Sequence, residues 1–292
     1  MLLAHRGYNV TLLEKEDRVG GRSARINLGP YSFDTGPTFL LQKFTLDEIF
    51  AEVGRKSDDY LDFVKLDPMT RLTWGDVSLE TSCDRKKMAA NIRSVFPEEE
   101  ENFLRFMNDH AQKLRTIFPC LQKPYQKLSS YLDPTLFKAL PHVATTKSVM
   151  DVLGNYFTDD RLKLAFTFQA KYLGMSPWKC PGLFSILSYI EYEHGIYHTQ
   201  GGLSEISESM ARVVEEEGGE IRFNSEVKEI KYVGKTAAEV ELTDGQVLSC
   251  DQLVVNADYA YARSSIFGEK KKSREELLKK KYSCSTFMLY LG

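Results

Sequence analysis

The first fourteen residues constrain the fold more than any other part of the sequence. Residues 1–7 have the pattern of the last turns of an amphipathic helix, and Gly7 stands where a left-handed residue commonly ends one. Residues 8–14 follow as an apolar, β-rich run that ends in Glu14. A helix, a glycine, an apolar strand and a terminal carboxylate form the second half of a βαβ unit, so the sequence predicts an α/β fold.

Glu14 and the glycines after it predict a dinucleotide site. An acid at the end of the second strand of such folds binds the ribose hydroxyls, about 20 residues after the glycine-rich turn that seats the pyrophosphate. That distance, counted back from Glu14, falls before Met1. Gly20, Gly21 and Arg22 follow closely, and glycine N–H groups and an arginine suit a phosphate. Together they favour FAD over NAD, although a solvated acid and an ordinary turn would explain each feature alone.

The middle of the chain changes from strand-like to helical patterns. Thr45 and Glu48 are spaced as a capping box, which predicts a helix that begins at Thr45 and stops at Gly54. Pro97 and the acids after it predict a helix start, since both suit the first helical turn. The other predicted elements are strands over 61–66, 70–74 and 77–81 and helices over 84–118 and 148–171.

Residues 197–258 return to α/β patterning. A helix is predicted from Leu203 to the glycines at 218–219, and an unalternating buried strand at 253–255. A charged helix is expected over 270–281. The remaining predicted strands are 221–223 and a meander over 227–233, 237–242 and 246–250.

Composition and charge exclude several classes of protein. The 292 residues are 42% hydrophobic and 27% charged, which is typical of a globular chain of about two domains. With 38 Lys+Arg against 41 Asp+Glu, the chain lacks the basic excess of nucleic-acid-binding proteins. Five widely spaced cysteines favour free thiols in a reducing, cytoplasmic compartment. The best uncharged run, 180–190, is too short for a membrane-spanning helix.

The residues alone indicate no conventional catalytic group. There is no metal-ligand spacing, P-loop or nucleophile elbow, so we predict no metal site and assign no catalytic acid or base. The five histidines are scattered, and only His198, shortly before the glycines at 201–202, is of interest. The aromatic segment 164–174 is typical of a core helix, and lining of an apolar channel is the alternative.

Several segments together resemble one enzyme family. Residues 10–22 look like the second-strand signature of the flavin amine-oxidase and carotenoid-desaturase superfamily. Four later segments narrow the resemblance to the bacterial-type phytoene and diapophytoene desaturases. These segments are 33–38, 168–177, 255–258 and 282–292.

The resemblance implies an FAD-binding, Rossmann-like domain and an α+β substrate domain with a helical cover. The expected FAD-binding segments are 1–56 and 201–258. The expected substrate domain is 57–200, with a short sheet and a helical region over 83–200, and 259–292 is expected to return to its sheet. The family's first strand, glycine-rich loop and C-terminal part are missing from the sequence, so we expect it to be a fragment lacking both termini.

Eight residues are implied to hold the FAD. They are Glu14 at the adenosine ribose, Gly20, Gly21 and Arg22 at the pyrophosphate, the Val227 backbone at the adenine, and Gly36, Pro37 and Asn256 near the flavin ring. The expected reaction is dehydrogenation of a long apolar isoprenoid at the membrane surface, by a peripherally bound enzyme without a nucleic-acid partner.

Candidate lining residues of the substrate tunnel are Phe166, Phe168, Tyr172 and Trp178, for which ordinary core packing is equally plausible. Two other functions stay open. One is a related flavin oxidoreductase, retinol-saturase-like or amine-oxidase-like, with another apolar substrate. The other is a non-catalytic fragment that binds lipid or a partner protein.

Overall fold

The computed structural model describes residues 1–143, 146–234, 236–267, 275–280, 282–283 and 285–291. The strands are β1 (Thr11–Leu13), β2 (Arg25–Leu28), β3 (Tyr31–Asp34), β4 (Leu40–Leu41), β5 (Phe63–Lys65), β6 (Arg71–Trp74), β7 (Val77–Glu80), β8 (Ile196–Thr199), β9 (Glu220–Arg222), β10 (Val227–Val233), β11 (Thr236–Leu242) and β12 (Val247–Ser249).

Helices separate and cover these strands. They are α1 (Leu2–His5), α2 (Lys43–Ala51), α3 (Arg85–Val95), α4 (Glu100–Leu121), α5 (Pro134–Ala139), α6 (Val149–Leu153), α7 (Asp160–Ala165), α8 (Ser185–His194), α9 (Ser204–Glu216) and α10 (Tyr259–Tyr261). Of the charged helix predicted over 270–281, residues 270–274 and 281 lie outside the described residues, and 275–278 are helical.

The N-terminal unit has the predicted α/β character. Helix α1 ends at Gly7, whose φ of +83° is the left-handed conformation that a glycine adopts without strain. Strand β1 then pairs in parallel with β9, with Leu12 opposite Ile221. Because α9 leads directly into β9, two helix–strand units lie side by side, which confirms the α/β fold class.

Three further sheets are antiparallel throughout. Strands β4, β8 and β5 form an antiparallel sheet in that order, and β6 and β7 form a hairpin. Strands β10, β11 and β12 form the predicted antiparallel meander. Strands β5, β6, β7, β10, β11 and β12 fall within the predicted strand segments to within a residue or two, whereas β4 and β8 were not predicted.

The predicted capping box at Thr45 and Glu48 is wrong. Helix α2 begins two residues earlier, at Lys43, after Gln42 in a left-handed conformation, and no side chain caps it. Strand β4 ends at Leu41, so α2 follows it after the single residue Gln42. Lys43 Nζ pairs with Asp47 one turn on, at 2.8 Å, and supports this earlier first turn.

The buried strand predicted at 253–255 is also wrong. The segment has no strand conformation, and Val254 exposes 75% of its surface. No described strand pairs with these residues, and an extended segment needs a neighbour to satisfy its backbone groups. A run of apolar residues therefore predicted a strand where tertiary structure supplies no partner.

The main hydrophobic core lies in the helical region. Phe103 and Phe106 on α4 are buried, as their helical spacing predicts, and they pack against Phe157 and Phe166. Phe166 stacks on Tyr192 of α8 with a centroid distance of 4.6 Å. Each buried aromatic of this kind contributes about 1.5–3 kcal/mol.

His110 is a buried polar member of this core. Its ring nitrogens lie 3.0 Å from the Phe106 carbonyl oxygen and 2.9 Å from Ser185 Oγ, so it ties α4 to α8. Burial, with a smaller effect from Lys113, lowers the pKa of His110 to about 4. The imidazole is therefore neutral in the folded protein at neutral pH.

We expect His110 to make the folded state sensitive to acid. Between pH 6.5 and pH 4 the unfolded chain binds a proton that the folded chain does not, so stability falls as the pH falls, by about 3 kcal/mol across this window. Urea unfolding at several pH values measures this slope. His110→Gln is expected to flatten the slope; equal slopes for both proteins would contradict the assignment.

Candidate cofactor site

Glu14 lies at the carboxyl end of β1, where a ribose acid is expected. Its backbone N–H donates to the Arg222 carbonyl at 2.9 Å, and its carbonyl accepts from Ser225 N–H at 2.8 Å. Oε1 of the half-buried carboxylate accepts the Glu16 N–H at 3.0 Å. The other oxygen has no partner among the described residues, so the fold presents one acceptor of a fixed carboxylate.

Val227 is brought beside Glu14 by the same backbone. Ser225, which bonds to Glu14, is two residues before Val227, the first residue of β10. Val227 is half-buried and packs against a small cluster that contains Ile230 and Ala262. Its backbone therefore lies close to the acid that is expected to hold the ribose.

The two glycines after β1, Gly20 and Gly21, have different structural roles. Gly20 has φ +111°, and a Cβ on it would lie 2.9 Å from the backbone of Ala24. Gly21 has φ +52°, and a Cβ there would meet nothing within 4 Å. The Ser23 N–H donates to the Gly20 carbonyl at 2.8 Å and closes a tight turn. Gly20 allows the loop to fold on itself, whereas Gly21 faces open space that a phosphate group can approach.

Gly36 holds this diglycine loop in place from the end of β3. A Cβ on Gly36 would lie 2.0 Å from the Arg22 carbonyl oxygen, so no other residue fits here without moving the loop. The neighbouring Thr35 donates its N–H and its hydroxyl to the Ala24 carbonyl, at 2.9 and 2.8 Å. Pro37 follows and is exposed. Gly36 and Gly21 thus belong to one site although 15 residues separate them.

An ion pair brings the segment containing Asn256 to the loop. Arg22 Nη2 lies 2.8 Å from Asp258 Oδ2, and the Arg22 side chain is largely exposed. The pKa of Asp258 is lowered, chiefly by the Tyr261 backbone N–H and also by Arg22. Asn256 is exposed two residues before Asp258. Sequence reasoning assigned no role to Asp258, although it stood within a motif of the resemblance.

Asp34 is a second structural residue that the sequence did not reveal. Its carboxylate accepts the N–H groups of Leu203 and Ser204 at 3.0 and 3.4 Å, which satisfies the first turn of α9. Gly202 makes this approach possible, because a Cβ there would lie 2.7 Å from Asp34 Oδ1. His198 likewise has a local partner, with Nδ1 3.1 Å from the Thr38 carbonyl oxygen.

The four tunnel candidates do not share one environment. Phe166 is fully buried within the aromatic core, where its lining role stays a prediction. Phe168, Tyr172 and Trp178 are exposed, and for them the lining role stays a prediction. A groove of about 730 Å³ lies elsewhere, and its walls carry charged residues such as Lys43, which do not suit a polyene.

Two kinds of feature were not found in the described ranges. No helix there has both the length and the apolar composition that a membrane crossing needs. No group of three or more His, Cys, Asp or Glu side chains is placed to hold a metal ion. Cys83, Cys120, Cys180 and Cys250 are free thiols.

The sequence matches the model of the flavin-containing amine oxidoreductase family over residues 1–279. The chain belongs to this family. Its whole length is 45% identical to a 4,4'-diapophytoene desaturase (4,4'-diapolycopene-forming) of a Methylomonas species, and 99% of it is 32% identical to a zeta-carotene-forming phytoene desaturase of Myxococcus xanthus. The alignments cover 58% and 56% of those proteins, so the chain spans little more than half their length. The resemblance to carotenoid desaturases is confirmed.

Solved structures of enzymes with other names share this fold. A triple mutant of putrescine oxidase aligns with 91% of this chain and 56% of its own, with a TM-score of 0.59 and 15% identity. A fatty acid isomerase from P. acnes aligns with 95% of this chain and 61% of its own, with a TM-score of 0.51 and 16% identity. At these identities the likeness shows the family's fold alone.

Proposed function

We propose that this chain is the cofactor-binding and substrate-covering part of an FAD-dependent desaturase. The substrate class is a long apolar isoprenoid such as phytoene or diapophytoene, in carotenoid biosynthesis. The observation that supports this best is the seating of the diglycine loop against Gly36, with Glu14 held at the end of β1. The names of the relatives point to the same substrate class.

The residues at the site fit an FAD. Glu14 offers a free carboxylate oxygen to the adenosine ribose, and Gly21 leaves space for the pyrophosphate, to which the exposed Arg22 can turn. Val227 would meet the adenine through its backbone. Gly36 and Pro37, with Asn256, would lie toward the flavin ring. A bound flavin accepts the hydride in such a dehydrogenation.

The protein's own part is to position an apolar chain and keep water away from the reacting carbons. The exposed rings of Phe168, Tyr172 and Trp178 are the surface that we assign to the substrate. Tyr172 packs edge-on against Phe39, and the two ring centroids are 6.3 Å apart. Phe39 is only three residues after Gly36 in the sequence. This contact would place the substrate surface next to the flavin end of the site.

Product analysis tests this function. The complete reading frame that contains this chain is expressed in cells that make phytoene or diapophytoene. We expect desaturated, coloured products, in smaller amount when Glu14 is replaced by Gln. Unchanged substrate, with FAD bound to the purified protein, would favour another apolar substrate; absence of both FAD and product would contradict the proposal.

A membrane surface is the partner that we propose for substrate delivery, on the cytoplasmic side. Leu128 and Leu132, in the turn between α4 and α5, expose 90% and 72% of their surfaces, and Phe137 on α5 is also exposed. Lys127 and Lys138 are exposed beside them. We call these five residues the apolar tip. Exposed apolar side chains flanked by lysines suit the interface of an anionic bilayer.

Removal of two leucines from the apolar tip is expected to weaken membrane binding. Leu128→Ser with Leu132→Ser removes two side chains worth roughly 1.5–3 kcal/mol each when buried, so binding to anionic vesicles falls at least 10-fold. Cosedimentation with phosphatidylglycerol vesicles measures this change. Val233→Ser, which alters an exposed apolar residue of β10, is the matched control. Equal binding of all three proteins would exclude the apolar tip as the contact.

A further inference from the structure

A buried carboxylate lies behind the surface that we assign to the substrate. Glu191 on α8 exposes only 8% of its surface, and the Tyr172 hydroxyl donates to its Oε2 at 3.3 Å. Burial raises the pKa of Glu191, and the side chains of Gln169, Tyr172 and Lys171 offset part of this rise. A carboxylate withdrawn from water but reached by one phenol is suited to exchanging a proton with whatever that phenol contacts.

Gln169 shows that the cluster is not satisfied by its own groups. The side chain is 1% exposed, and its Oε1 accepts the Ser188 hydroxyl at 2.8 Å. Its Nε2 makes no hydrogen bond of normal geometry among the described residues, although it is close enough to Glu191 to lower the pKa of that carboxyl. A buried N–H without a well-placed acceptor costs about 1–3 kcal/mol, so its presence in a folded protein calls for an explanation.

Tyr172 connects the buried carboxylate to the outside. Its ring is half-exposed and contacts Phe39, whereas its hydroxyl points to Glu191. Burial and the Glu191 charge raise the pKa of Tyr172, so the phenol stays protonated and keeps a proton to pass on. The other ionisable groups that face Glu191 are Lys171 and the buried Tyr192.

We propose that Glu191, acting through the Tyr172 hydroxyl, accepts the proton that the isoprenoid loses during desaturation. The proposal rests on the function proposed above, in which the flavin is the oxidant and takes a hydride from one carbon. The C–H bond of the neighbouring carbon then breaks, and its electron pair becomes the new carbon–carbon π bond. Its proton moves to the Tyr172 oxygen as the phenol proton moves to Glu191 Oε2.

Glu191→Gln tests this role in the FAD-loaded protein. The amide keeps the shape but cannot accept the proton, so we expect kcat to fall about 100-fold while KM changes less than about 3-fold. Since the acceptor must be ionised, the wild-type rate falls as the pH drops through the raised pKa of Glu191. This acid limb disappears in the variant. Glu193, also on α8, pairs with Arg85 of α3 and serves as the control. Glu193→Gln is expected to keep both the wild-type rate and the loss of rate at acid pH.

An infrared titration gives a second readout that does not depend on turnover. As the pH is lowered, the carbonyl band of the protonated Glu191 carboxyl is expected to appear at a higher pH than for an ordinary glutamate. This band is absent from Glu191→Gln. Tyr172→Phe removes a hydrogen bond that lowers the pKa of Glu191, so the band moves to higher pH. The same variant lacks the hydroxyl that passes the proton on, so its kcat is expected to fall as in Glu191→Gln.

The outcomes separate this inference from the function on which it rests. A Glu191→Gln protein that binds FAD and turns over at the wild-type rate would overturn the role of Glu191 and leave the desaturase intact. If the carboxyl band of Glu191 appears at the same pH in Tyr172→Phe as in the wild type, the proposed proton route through Tyr172 is overturned. Wild-type protein without FAD or product would refute the desaturase itself, and the role of Glu191 with it.

Discussion

Replacement of Gly36 by alanine is expected to lower FAD affinity at least 100-fold. The new methyl group would lie 2.0 Å from the Arg22 carbonyl oxygen, which is backbone and cannot turn aside. The loop that carries Gly20 and Gly21 must therefore shift away from the cofactor. We also expect a loss of about 2–3 kcal/mol in stability, as for other overpacked sites. Titration with FAD and urea unfolding measure the two effects.

Gly29→Ala is the matched control for this substitution. Strands β2 and β3 pair as an antiparallel hairpin, and Gly29 lies in its turn, at the opposite end from Gly36. Gly29 has φ +61° and no atom within 4 Å of a new Cβ. The substitution Gly29→Ala lowers the stability of the fold by about 1 kcal/mol, because alanine is strained in the left-handed conformation. It leaves the diglycine loop in place, so FAD affinity stays at the wild-type value. A Gly36→Ala protein that matches this control in both measurements would show that the loop is not seated as described.

Glu14→Gln is expected to weaken FAD binding roughly 10- to 100-fold. The substitution keeps the size of the side chain but removes the charge that the ribose hydroxyls would bond to, and hydrogen bonds to charged groups contribute about 1.5–3 kcal/mol. The backbone bonds of Glu14 to Arg222 and Ser225 are unaffected, so the unfolding midpoint stays close to wild type. Calorimetric titration with FAD measures the affinity.

Glu16→Gln provides the comparison, because the exposed Glu16 side chain lies two residues away and pairs only loosely with Lys15. Its FAD affinity is expected to equal that of the wild type. Similar affinities for Glu14→Gln and the wild type would remove Glu14 from the cofactor site, whatever the rest of the loop does.

The parts of the fold that follow from local rules were predictable. Gly7 ends α1 because only a glycine takes that conformation without strain, and Phe103 and Phe106 are buried because their spacing places them on one face of α4. Glu14 was predicted to end an apolar strand, and it follows β1 directly. In each case the information lies within a few residues of the position concerned.

The parts that depend on distant partners were not predictable in this way. Val254 resembles a strand residue but has no described partner strand, and Thr45 resembles a helix cap but lies within α2, which begins at Lys43. Asp34 caps a helix whose first residue is 170 positions later in the sequence. Neither spacing nor composition records such a contact.

The same limit applies to the candidate functional residues. Phe166 and Phe168 are two positions apart in an aromatic segment, yet the first is buried and the second exposed. Glu191 was passed over because a lone glutamate in a helix is usually solvated, and only its burial against Tyr172 distinguishes it. Burial arises from the packing of separate segments, so the structure was needed to find these residues.

The central claim is that the Glu14 strand end and the loop seated on Gly36 bind FAD. Its most direct test is the visible spectrum of protein purified from the complete reading frame, before and after incubation with FAD. We predict the absorption of oxidised flavin in the wild type, strongly reduced occupancy in Gly36→Ala and full occupancy in Gly29→Ala. A folded wild-type protein that stays colourless after incubation with FAD would contradict the account.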